Sequence, residues 1–117
     1  MILLVLACLM GTPAFTPAYA HAFLERATPA VGSAVASAPK SLMLTYTEEV
    51  EPMFCHVAVT NAAGAAVTGG APVARDGGRT LVVPLKPLKP GTYTVDWHVV
   101  SVDTHKTEGH FTFTVSP

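Results

Sequence analysis

Residues 92–102 read TYTVDWHVVSV, and the spacing of Tyr93, Val95, Trp97 and Val99 decides the fold. Apolar residues at every second position form one face of a strand, and Thr94, Asp96 and His98 form its polar reverse. Outward toward the C-terminus, Phe111, Phe113 and Val115 alternate with Thr112 and Thr114 in the same way. Toward the N-terminus, Leu42, Leu44 and Tyr46 alternate with Met43, Thr45 and Thr47, and Leu81, Val83 and Leu85 form another set. Met53, Cys55, Val57 and Val59 share a face, with Phe54 and His56 on the other. Turn residues separate these runs: Asn61 to Gly64 as a hairpin turn, Gly69-Gly70, Asp76-Gly77-Gly78, Pro87 and Pro90-Gly91. No stretch after residue 20 carries helical periodicity over about ten residues or more. Short strands at regular spacing with Trp97 on an inner face predict an all-β, Ig-like Greek-key sandwich, a single small domain.

Residues 1–20, MILLVLACLMGTPAFTPAYA, are uncharged and mostly apolar and end in Ala18-Tyr19-Ala20. That pattern predicts a signal peptide cut after Ala20, although no Lys or Arg precedes the apolar run, which leaves the true start codon open. Val5-Leu6-Ala7-Cys8 resembles a lipobox, the rival reading, in which lipidation at Cys8 would leave His21 internal. The mature domain, residues 21–117, then begins with His21. Its formal net charge of −1 offers no basic patch for nucleic acid. Once Cys8 leaves with the leader, Cys55 stands alone and no intrachain disulfide is possible.

Five histidines in so short a chain raise a metal hypothesis. In extended chain Asp103 and His105 would point to the same side and present a carboxylate beside an imidazole. A terminal His21 adds an α-amine and a ring Nδ1 that close a chelate on one metal. The amine titrates near pH ~7.7–8.0 and the imidazole near ~6.5, so a divalent metal displaces both protons at neutral pH at modest cost. His21, Asp103 and His105 together give three nitrogens and one oxygen, a tetragonal set that favours Cu(II). His98 is read as lining the solvent side of its strand, and His110 as lying near the site or on the surface.

HAFLERATPAVGSAV at residue 21, LMLTYTEEVEP at residue 42 and GTYTVDWHVVSVDTHKTEGHFTFTV at residue 91 together resemble the CopC-like periplasmic copper-resistance proteins. The resemblance covers essentially all of residues 21–117. It implies an Ig-like sandwich that holds one Cu(II) per chain through His21, Asp103 and His105, with Glu48 as an orienting group nearby. It implies a monomer in the periplasm, serving copper resistance or homeostasis, with a CopD-type membrane copper transporter as partner. Some relatives also bind Cu(I) through a methionine-rich loop. Here Met53, Cys55 and His56 are the corresponding soft candidates, and their alternation reads Met53 and Cys55 as core.

Two other functions compete with copper buffering or delivery. A copper-dependent oxidative enzyme would use the same histidine brace, but it needs an open coordination position and an accessible Cu(I) state, which the Asp103 carboxylate disfavours. A metal-free Ig-like interaction domain would have no use for His21 at its start. The expectation is therefore a binding protein and not an enzyme.

Overall fold

A computed structural model of the chain describes residues 21–117, together with Gly11. The expected leader and the lipobox cysteine Cys8 lie, apart from Gly11, outside the described residues.

The alternating runs become strands. In chain order they are β1 (Leu24–Thr28), β2 (Ala34–Val35), β3 (Ser41–Tyr46), β4 (His56–Thr60), β5 (Val73–Arg75), β6 (Thr80–Pro84), β7 (Gly91–Val100) and β8 (Lys106–Val115). They form two four-stranded sheets, ordered β1-β3-β6-β5 and β2-β8-β7-β4. Apart from the β5–β6 and β7–β8 hairpins, every connection passes from one sheet to the other. All pairings are antiparallel except β2 with β8. The all-β sandwich expected from the alternation is the architecture found.

Leu42, Leu44, Tyr46, Leu81 and Val83 from the first sheet meet Val57, Val59, Val95, Trp97 and Phe113 from the second, all buried. The indole of Trp97 lies edge-on to Tyr46 across the sandwich, with ring centroids 5.3 Å apart, and Tyr93 stacks on Phe113 within its own sheet at 5.4 Å. Trp97 pairs in register with Gly109 on β8. A side chain at Gly109 would run into the Trp97 ring, so the glycine makes room for the central aromatic. Leucines and valines interdigitating in this way supply most of the favourable free energy, at about 25 cal/mol per Å² of apolar surface buried.

The turns follow their residues. The Asn61 side chain accepts hydrogen bonds from the backbone N–H groups of Ala63 and Ala65, closing the loop after β4. Asp76, Gly77 and Gly78 all take positive φ between β5 and β6, where two glycines lower the cost. Leu85 falls just outside β6 and joins Thr68 through an isolated bridge.

The reading of Met53 requires correction. Pro52–Phe54 form a 3-10 turn, not the start of β4, and Met53 is 86% exposed. Proline at the head of that turn fixes φ for a helical turn and ends the alternation that ran through Met53. Cys55 does pack against the core from a half-buried position.

Candidate metal centre

Residues 21–23 form a strap laid where the edges of the two sheets meet. Thr47, just past β3, holds it with three bonds. Its hydroxyl donates to the His21 carbonyl oxygen at 3.0 Å and accepts from the Phe23 N–H at 3.0 Å, and its own N–H donates to the Phe23 carbonyl at 2.9 Å. From the other sheet, the Thr107 hydroxyl on β8 donates to the Ala22 carbonyl at 2.7 Å. Ala22 is fully buried between these two threonines. A methyl side chain fits there, and the main chain on either side is thereby fixed.

The strap delivers His21 to the turn that joins β7 to β8. The two imidazoles of His21 and His105 approach edge to face, with centroids 4.9 Å apart, and Phe23 sits edge-on to His21 at 5.9 Å. The Nδ1 atoms of both histidines are shielded from solvent. Residues far apart in the chain thus put two rings within the span of one metal ion.

Asp103 and His105 do come together, but not by the pleat of an extended strand. Residues 101–105 form a tight turn in which Thr104 adopts a positive φ of 73°, unusual for a residue with a side chain. Ser101, 2% exposed, organises it. Its N–H donates to the His105 carbonyl at 2.9 Å, its carbonyl accepts from Thr104, and its hydroxyl donates to Asp103 Oδ1. The other carboxylate oxygen, Oδ2, lies 3.1 Å from His105 Nδ1. The Ser101 hydroxyl, and after it His105, hold the Asp103 carboxyl below the usual carboxylate range, so it is an anion at neutral pH. A carboxylate on one ring nitrogen fixes the tautomer and turns the other nitrogen outward as a donor.

Among the described residues no three His, Cys, Asp or Glu side chains stand ready-made around one point. Both Asp103 oxygens are engaged by Ser101 and His105, and the His21 nitrogen is a peptide nitrogen while residue 20 is attached. The donor chemistry nonetheless suits a tetragonal N and O binder such as Cu(II).

Glu48 follows Thr47 in the bend after β3, half-buried, next to the residue that clamps the strap. The soft candidates are dispersed. The Cys55 Sγ donates to the Glu51 carbonyl at 3.1 Å, and burial raises its pKa, keeping it a thiol. Met53 is open to solvent, and His56 faces outward from β4, opposite His98 of β7.

Sequence reasoning passed over Thr47, Thr107 and Ser101. Alternation assigns Thr47 to the outward face, while Thr107 continues the inward face of β8 opposite Val99, and only the long-range folding of the strap gives their hydroxyls a role. Ser101 left a signal of its own: a lone hydroxyl at the head of a D-x-H turn.

A sequence profile described as the CopC domain matches residues 24–116. Protein YobA of Escherichia coli strain K12 is 44% identical over 110 residues, spanning 92% of this chain and 89% of that one. Copper resistance protein C of Escherichia coli is 37% identical over 106 residues, spanning 84% and 83%. The crystal structure of CopC from Methylosinus trichosporium OB3b superposes with a TM-score of 0.78 at 33% identity, covering 83% of this chain and 95% of that one.

Proposed function

The chain belongs to the CopC family, and we propose that it is an exported copper-binding protein that holds one Cu(II) ion at the end of the sandwich. His21 contributes its α-amine and ring nitrogen, His105 a second ring, and Asp103 the anionic oxygen. The observation that carries this reading is the approach of the His21 and His105 rings, 4.9 Å between centroids, with Asp103 fixed against His105.

Each element has a chemical reason. Two imidazoles and an amine are nitrogen donors of the strength that Cu(II) prefers, and an adjacent carboxylate stabilises the divalent state over Cu(I). Ser101 keeps that carboxylate ionised and aimed at His105. Thr47 and Thr107 hold the strap so that His21 meets His105 instead of trailing in solvent. Glu48, which follows Thr47 in the chain, would orient a bound water or ligand. The relatives named for copper resistance support copper as the cargo, and the role proposed is buffering or delivery in the periplasm, not catalysis. A CopD-type membrane transporter is the proposed recipient; among the described residues no helix is long and apolar enough to cross a membrane.

The reading requires that cleavage after Ala20 expose the His21 amine. Competition titration of Cu(II) against a chain starting at His21, and against one carrying a single added Ala before it, tests this directly. Loss of several orders of magnitude in affinity on extension is the expected result. Equal affinities would remove the amine chelate and with it the proposal.

A further inference from the structure

The outer face of the β7–β8 hairpin carries a second group of metal-binding side chains, none of them shared with the strap or the Ser101–His105 turn. On β7, Asp96 and His98 point outward, and on β8 Glu108 and His110 do the same, all four exposed. The register sets His98 directly opposite Glu108 and Asp96 directly opposite His110. The four residues therefore occupy the corners of one cross-strand block, and they line a single shallow depression with Gly109. Directly opposed residues in such a ladder have Cβ atoms only about 4.5–5.5 Å apart, and diagonal ones remain within reach of long side chains.

His98 Nδ1 and Glu108 Oε2 already stand 3.0 Å apart. Two donors bound to one ion at about 2.0–2.2 Å, at roughly a right angle or a little more, are separated by about that distance. A metal can thus enter between these two donor atoms with little backbone movement. His110, two residues along β8 on the same face, is the next donor, and Asp96 opposite it supplies either a fourth ligand or the partner that orients the His110 ring. Among the described residues no three such side chains yet converge, so the ion itself must draw His110 inward by rotation about its side-chain bonds. Exposed side chains turn at small cost.

We propose that His98, Glu108 and His110 form a second, ligand-assembled site for a divalent cation of the zinc type, with Asp96 completing it. Two neutral imidazoles with one or two carboxylates make an N and O set that tolerates the tetrahedral geometry Zn(II) adopts. The site has no terminal amine, so it does not depend on cleavage of the leader, and it is open to solvent on its outer side.

Zn(II) titration by calorimetry tests the proposal in the full-length chain carrying His105→Ala, which weakens the first site without touching the hairpin face. One Zn(II) per chain is expected. Affinity should fall about tenfold or more, at least the loss seen when a supporting group of a metal site is removed, with either His98→Ala or His110→Ala. Glu25→Ala, exposed on β1 of the other sheet, should leave it unchanged. Ring resonances of His98 and His110 should move on titration. Absence of saturable binding, or binding that neither His98→Ala nor His110→Ala weakens, would overturn the site and leave the His98–Glu108 contact as a cross-strand ion pair. The His98, His110 and Glu25 side chains are exposed, so the fold survives and differences from the His105→Ala chain read binding alone.

Discussion

The His21–His105 pair and the His98–His110 pair of imidazoles differ in what holds the rings. The first pair is assembled from opposite ends of the chain, with both Nδ1 atoms shielded and a carboxylate fixed by a buried serine. The second lies on one hairpin, set by register alone, with its side chains in water. A pair fixed by tertiary contacts would offer its two rings to the proposed Cu(II) with little rearrangement. A pair fixed only by the ladder must give up side-chain freedom on binding, which costs up to about 1.5–2 kcal/mol per long side chain. The first should therefore bind tightly and selectively, the second weakly and more permissively.

The change that would most sharply break this contrast is His105→Ala. It should lower Cu(II) affinity by more than about a hundredfold, beyond the range seen for outer-sphere losses, with Tm nearly unchanged, by competition titration and thermal melting. An unchanged affinity would remove His105 from the site. A smaller effect is expected for Thr107→Val, which deletes the bond to the Ala22 carbonyl and keeps the shape. A net hydrogen bond is worth about 1 kcal/mol, so roughly fivefold weaker copper binding should appear in the same titration. If affinity did not move, the strap would owe its position to Thr47 alone. Smallest of all, the paired substitution of His56 and His98 by Ala should alter tight Cu(II) binding by less than about twofold, since exposed changes away from a site rarely exceed about 0.5 kcal/mol. A large loss would show that the two regions are coupled.

The legibility of these two regions also differed. Strands β3, β4, β6, β7 and β8 were readable because each buries one face, and burial of one face writes a period of two into the sequence. Strand β2, with two residues, and β5, with three, were not readable: both are too short to show a period. They exist because β8 and β6 offer them open edges. Met53 was misread because the alternation of β4 was carried back into the turn that Pro52 opens. The closeness of Asp103 and His105 was anticipated for a reason that does not hold; the contact comes from a serine-organised turn with Thr104 in a left-handed conformation, not from a strand pleat. The approach of His21 to His105 could be suggested only by the chemistry of a terminal histidine and by family resemblance, because no local pattern encodes a contact between residues so distant in the chain.

The hydroxyl of Thr47 bonds to the main chain on both sides of Ala22, taking the place of a missing rung and extending β1 back as far as His21. An ordinary N-terminal tail would lose its freedom only when the ligand bound, at about 1–2 kcal/mol of entropy for each backbone residue immobilised. If the proposed cleavage after Ala20 makes His21 the terminus, that loss falls on folding, and a copper ion at the proposed site would meet a terminus already held. Such an arrangement would suit the capture of a scarce ion from dilute solution, because little of the binding free energy would go into ordering the protein.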